Sequence, residues 1–161
     1  EWGGVVLDIR DDAMARAAFE KISKAAIGKD LRGVVIYPMI RDAQEVLLGL
    51  SHDPQVGPVV VFGLGGIHTE VLRDISLRVA PVDRTEAEAM IHEIRAFPIL
   101  EGARGQPRRD LDALADTLVN FSRLPFLYPE IAEVDLNPVF LLSKGLVVGD
   151  VRVICKEQKM P

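Results

Sequence analysis

The stretch from Gly57 to Asp74, GPVVVFGLGGIHTEVLRD, decides how the chain is read. Val59, Val60 and Val61 read as a strand, because branching at Cβ suits a pleated, half-buried surface. That strand runs straight into Gly63, Leu64, Gly65 and Gly66. Glycine lacks a Cβ, so a strand ending in glycines lets backbone N–H groups come close to a small ligand, most often a phosphate. The pattern is neither GxGxxG nor a Walker loop, and by itself it reads more simply as a tight turn. The remainder of the chain has to decide between the two.

Composition narrows the field. The chain has 161 residues, 48% hydrophobic and 27% charged, which suits one domain or two small lobes with a real core. Its net charge of −5, from 24 acidic and 19 basic residues, argues against a nucleic-acid surface. The single cysteine, Cys155, excludes an internal disulfide and fits a reducing, cytoplasmic setting. No apolar run reaches the ~18 residues of a membrane span. The chain opens on Glu1, Trp2, Gly3 and Gly4, with neither a start methionine nor a signal peptide, which reads as part of a longer protein.

Outward from the glycine turn the pattern is mixed. Val5–Ile9 and Gly33–Tyr37 read as strands, with a helix from Asp11 to about Ile27 between them, ended by Gly28. Glu45–Leu50 and Pro58–Phe62 are further strands, and the short links from Gly33 onward suggest an antiparallel meander. Ser76–Val79 is another extended piece, closed by Pro81. Ala87, Met90, Ile91 and Ile94 form the apolar face of one helix, and Leu111, Leu114, Ala115, Leu118 and Phe121 that of a second, capped by Asp110. Phe97–Gly105 reads as a loop. Two strands close the chain, Ile131–Leu142 and Leu146–Ile154, joined by a turn at Ser143-Lys144-Gly145, before a tail at 156–161.

The final hairpin carries the chemistry. Glu133, Asp135 and Asn137 alternate along one strand and so share a face. Asp150 interrupts an otherwise apolar strand, and an antiparallel hairpin brings it near Glu133, Asp135 or Asn137. Carboxylate and amide oxygens on adjacent strands are hard ligands suited to Mg²⁺, although a solvated strand face is the plainer reading of the pattern. Glu45 sits in an apolar strand and faces either solvent or the site. Arg73, Arg78 and Arg104 lie in or beside loops, where an arginine is ordinarily just solvated. His68 follows the glycine turn and invites a role as phosphoryl acceptor, but a structural role is the simpler assignment. No Ser/His/Asp, Cys/His, CxxC or HExxH constellation is present.

Taken together, GGVVLDI at 3–9, GVVIYPM at 33–39, DPQVGPVVVFGLGGIHTEVLRD at 53–74, LRVAP at 77–81, ILEGARGQP at 99–107, EIAEVDLNPVFL at 130–141 and GDVRV at 149–153 resemble the ATP-grasp region of the NDP-forming acyl-CoA synthetases. The succinyl-CoA synthetase β subunit is a more distant likeness. The resemblance covers nearly the whole chain and implies an α+β fold: the C-terminal ATP-grasp lobe over residues 1–155, a mostly antiparallel sheet with helices packed on it. It implies an acid–thiol ligase interconverting acid, CoA and ATP with acyl-CoA, ADP and phosphate through an acyl phosphate and a phosphohistidine. That histidine would lie on a separate CoA-binding domain, in the same chain or a partner subunit.

By the same resemblance, Asn137 and Asp150 are Mg²⁺ ligands, with Asp135 nearby. Gly63, Gly65, Gly66 and Glu45 belong to the ATP/ADP site, with Gly65, Gly66 and Glu70 where the phosphohistidine loop docks. Arg104 is a phosphate or docking contact. The family's preceding ATP-grasp half, with its nucleotide lysine, falls outside the chain, so the chain alone is expected to be inactive. His68 departs from the aromatic or aliphatic residue expected there. An alternative is a ligand-sensing region fused to a protein acetyltransferase. Oligomeric state stays open, although a lobe whose partner face is bare is expected to pair with a second copy.

Overall fold

The structure, a computed structural model, describes residues 3–66 and 74–156, apart from the side chain of Arg104. The chain divides into two units, residues 1–41 and 42–161.

The first unit contains one helix, α1 (Asp12–Ala25). The Asp11 carboxylate caps it by accepting from the Met14 N–H at 2.8 Å, and Gly28 follows in the left-handed region. The strands expected at Val5–Ile9 and Gly33–Tyr37 are not formed. Both stretches have strand-like composition, but a strand exists only once its N–H and C=O groups are paired. Neither joins a ladder among the described residues, and Val5, Val35, Ile36 and Tyr37 remain at least 70% exposed. Arg41 pairs with Asp8, joining the two extended stretches.

The second unit is a sheet covered by helices on one face. It holds β1 (Gln44–Asp53), β2 (Gly57–Leu64), β3 (Ile75–Val79), α2 (Arg84–Glu93), α3 (Phe97–Leu100), a 3₁₀ turn (Ala103–Gly105), α4 (Leu111–Ser122), α5 (Leu124–Leu127), β4 (Ile131–Leu141), β5 (Leu146–Val148) and β6 (Val151–Cys155). The expected loop at 97–105 is therefore partly helical. The sheet order is β3-β2-β1-β4-β5, with β6 also pairing β4, and every pairing is antiparallel. The meander is thus β1–β2–β3; the stretch at 33–37 has no part in it.

Alternation along the strands sets the faces. Val46, Leu48 and Leu50 of β1, Val60, Phe62 and Leu64 of β2, and Val134, Leu136, Val139 and Leu141 of β4 are buried. They pack against Met90 and Ile91 of α2 and Leu114 and Leu118 of α4 in one core. Asp83 and Glu86 form a reciprocal capping box that starts α2. Arg84 pairs with Glu88, Asp112 and Asp116, linking α2 to α4 on the solvent side. Ser122, buried at the end of α4, accepts from the Val82 N–H at 3.1 Å and donates to the Val119 carbonyl at 2.8 Å. No helix among the described residues is long and apolar enough to cross a membrane.

Candidate functional site

Two irregularities face each other in the sheet. On β4, Val139 pairs Val46 while Leu136 pairs Leu48, so β4 carries one extra residue at Asn137–Pro138. A bulge of this kind re-aims a side chain, and bulges gather beside functional sites. Directly across, the last expected strand breaks in two: β5 ends at Val148 and β6 begins at Val151. The register is nevertheless continuous, because Val148 pairs Val139 and Val151 pairs Leu136. Asn137 and Asp150 therefore lie opposite each other, and the Asn137 N–H donates to the Asp150 carbonyl at 3.3 Å.

The side chains fit that placement. Glu133, Asp135 and Asn137 alternate with the buried Val134 and Leu136, so they share the face turned away from the core. Asn137 and Asp150 are exposed, and Asp150 Oδ1 accepts from the Val151 N–H at 2.9 Å. One carboxylate and one carboxamide oxygen on facing strands leave positions for water and phosphate oxygens, as Mg²⁺ prefers. Among the described residues no group of three His, Cys, Asp or Glu side chains gathers as a metal cage. Asp135 lies on the same strand face, opposite Gly49 of β1 and Arg152 of β6.

The glycine turn joins this face through β1. Gly65 donates to the Glu45 carbonyl at 2.7 Å. A Cβ on Gly65 would stand 2.9 Å from the Glu45 carbonyl carbon and 2.9 Å from its Cβ, so only glycine fits. Gly66 takes a φ of +76°, and a Cβ there would lie 3.6 Å from Glu45 Oε2. The Glu45 carboxylate therefore sits beside the turn, in the strand that also pairs with β4. Gly63 is packed against Ile75 and the Asp74 carbonyl, where a Cβ would come within 3.0 Å. Its role is close strand packing; Gly65 is likewise buried, and Gly66 is the exposed residue of the turn.

The other sequence candidates fall differently. Glu70, Arg73 and His68 lie outside the described residues, as do 157–161 and the Arg104 side chain. Arg78 is not merely solvated: it lies in β3, as the extended reading of 76–79 expects, and pairs with Glu93 at 2.9 Å, because its strand position turns it toward α2. The hydrogen bond from the Ser76 hydroxyl, together with Arg78, holds the Glu93 carboxyl below the usual carboxylate range. Lys156, expected in the tail, is tied to the fold: its N–H donates to the Glu130 carbonyl and its Nζ to that of Pro129.

Sequence reasoning missed two anchors. Asp74 accepts from the Arg95 and Ala96 N–H groups, each at 2.8 Å, tying the start of β3 to the α2–α3 junction. Asp110, expected only as a helix cap, accepts from Ala113 and also from Gly145, joining α4 to the β4–β5 turn. These two N–H groups hold the Asp110 carboxyl below its ordinary range. An aspartate before a helix signals the cap, but its second, distant partner leaves no mark in local sequence. An open hollow of about 510 Å³ lined by Ser51, His52, Asp53, Val59, Leu77 and Arg78 lies at the opposite end of β1 from Glu45.

The sheet, with helices on one face, thus carries a glycine turn at the end of β2 and, at the β4 bulge, Asn137 opposite Asp150. The ATP-grasp domain family matches residues 1–155, and the chain belongs to it. Within that family its relatives are ADP-forming acyl-CoA ligases. It is 46% identical over 156 residues to the β subunit of acetate–CoA ligase (ADP-forming) I of Pyrococcus furiosus, covering 94% of this chain and 67% of that protein. It is 39% identical over 160 residues to acetate–CoA ligase (ADP-forming) I of Archaeoglobus fulgidus, covering 97% of this chain and 23% of that one. Among solved structures, acetyl-coenzyme A synthetase 1 of Ca. Korarchaeum cryptofilum superimposes with a TM-score of 0.80 at 38% identity, covering 96% of this chain and 69% of that one. That structure holds coenzyme A and Mg-AMPPCP, with its phosphohistidine segment pointing towards the nucleotide-binding site. Another of the same enzyme, with coenzyme A and Ca-AMPCP, gives a TM-score of 0.82.

Proposed function

We propose that this chain is the C-terminal ATP-grasp lobe of an ADP-forming acyl-CoA synthetase, holding Mg-nucleotide while a phosphoryl group is exchanged with a histidine on another domain. The observation that carries the reading is the bulge at Asn137–Pro138 facing the break at Gly149–Asp150, on the sheet that also positions Glu45 and the glycine turn. Relatives that bind a divalent metal with a nucleotide analogue support it.

Asn137 and Asp150 would hold the metal, with Asp135 close on the same strand face. When bound, Mg²⁺ neutralises charge on the nucleotide phosphates and orients them. The work of the chain's own residues is positional. Gly65 closes the turn on Glu45, and the exposed Gly66 leaves the end of β2 free of side chains, so a phosphate or an incoming loop can approach the backbone there. Glu45, fixed beside them by the Gly65–Glu45 hydrogen bond, is placed to accept a hydrogen bond from an incoming imidazole N–H. Phosphoryl transfer asks for such placement and charge compensation more than for covalent chemistry by the protein. Gly63, Glu70 and Arg104 complete the proposed site: Gly63 through strand packing, Glu70 and Arg104 as docking contacts for the phosphohistidine segment.

The experiment is formation of ATP from ADP, phosphate and acetyl-CoA by the intact protein together with its phosphohistidine domain. The reading expects ATP formation that requires Mg²⁺ and falls by orders of magnitude in Asp150→Ala. Full activity in Asp150→Ala would remove the metal assignment, and no ligase activity with any acyl-CoA would remove the function.

A further inference from the structure

The backbone between β5 and β6 is tightly packed. Gly149 still donates to the Pro138 carbonyl at 2.8 Å, so the ladder partner is kept while regular strand is lost at Gly149 and Asp150. A Cβ on Gly149 would stand 2.6 Å from Cε2 and 3.2 Å from Cδ2 of Phe140, and 3.0 Å from the Pro138 carbonyl oxygen. The backbone of Gly149 is not in the left-handed region, so conformational freedom is not what requires glycine there. The requirement is space: the phenyl ring occupies the volume a side chain at 149 would fill. Phe140 pairs with Val147 of β5 on one side and Glu45 of β1 on the other. Phe140 thus belongs to the strand paired with that of Glu45, and its ring lies against the backbone immediately before Asp150.

We propose that Phe140 and Gly149 are a positioning pair for the metal site: the ring, packed on the bare Cα of Gly149, fixes the backbone that presents Asp150 to Asn137, and so sets the divalent-cation affinity. The inference rests on the reading of Asn137 and Asp150 as metal ligands. Groups that orient metal ligands without touching the metal typically change metal affinity by about 10–100-fold when altered.

The test is Mn²⁺ binding to the intact protein with ADP present, followed by electron paramagnetic resonance, with metal-free ADP binding and thermal unfolding measured on each variant. Gly149→Ala is expected to weaken Mn²⁺ binding about tenfold or more while leaving metal-free ADP binding unchanged. Adding Phe140→Leu to Gly149→Ala removes the clash and is expected to recover most of the loss. If Gly149→Ala does not fold, Phe140→Tyr against Phe140→Leu replaces it: the first keeps the ring and the affinity, the second loses affinity. Gly149→Ala, or Phe140→Leu where it stands in, that lowers only the unfolding temperature overturns the proposal, as does a double variant no better than Gly149→Ala. Asp150→Ala run in parallel separates the two levels: unchanged Mn²⁺ binding in that variant would instead defeat the metal assignment itself.

Discussion

Gly65→Ala tests the join between the glycine turn and β1. Both atoms at 2.9 Å from the added methyl belong to Glu45, the carbonyl carbon and Cβ, and the carbonyl oxygen follows at 3.1 Å. Carbon contacts are comfortable from about 3.5 Å, so the turn and the start of β1 must part by roughly half an ångström. That strains packing by about 1–3 kcal/mol and weakens the 2.7 Å bond from the Gly65 N–H to the Glu45 carbonyl, worth about 1 kcal/mol. The sum is about 2–4 kcal/mol, or roughly 5–15 °C in a chain of this size. Gly33→Ala is the control: its backbone is equally ordinary and nothing lies within 4 Å of the added methyl, so stability is unchanged or slightly raised. The assay is urea unfolding followed by far-UV circular dichroism, with Mg-ADP affinity measured alongside. Gly65→Ala should lose both stability and affinity. If it proves as harmless as Gly33→Ala, the turn is not held against Glu45 and the reasoning fails.

Ser122→Ala leaves the buried Val82 N–H without its partner and should cost about 1–3 kcal/mol in urea unfolding, with no effect on nucleotide binding. Glu93 and Asp110 both have folded-state carboxyl pKa values below the unfolded ones. Their contribution is therefore complete above the unfolded carboxylate value of about 4 and is lost as pH falls through the lower folded values. Unfolding temperature should fall more steeply below about pH 4 in the wild type than in Glu93→Gln or Asp110→Asn, as scanning calorimetry at a series of pH values would read.

Much of this is legible in residue order because its cause is local. Alternation along Val46–Leu50 and Val60–Leu64, the helical spacing of Leu111, Leu114, Ala115 and Leu118, and the caps at Asp11 and Asp110 each follow from a single element's chemistry. Asn137 and Asp150 were legible as candidates because hard oxygens interrupt apolar strands, and antiparallel pairing brings them opposite each other. What was not legible depends on partners far along the chain. Val5–Ile9 and Gly33–Tyr37 have strand propensity but no ladder among the described residues. Arg78 reads as a solvated cation because the glutamate it pairs with lies fifteen residues on, in α2. The packing of the Phe140 ring against Gly149, beside the break at Gly149–Asp150, joins two strands and shows in neither strand's own pattern.

A metal-nucleotide site built on Asn137 and Asp150 makes ADP binding depend on Mg²⁺ through those two residues. Isothermal calorimetry of ADP binding to the intact protein, with and without Mg²⁺ and with Asp150→Ala beside the wild type, tests it most directly. Mg²⁺ should strengthen ADP binding to the wild type and do nothing for Asp150→Ala, whose metal-free affinity is unchanged. Equal strengthening by Mg²⁺ in both proteins would contradict it.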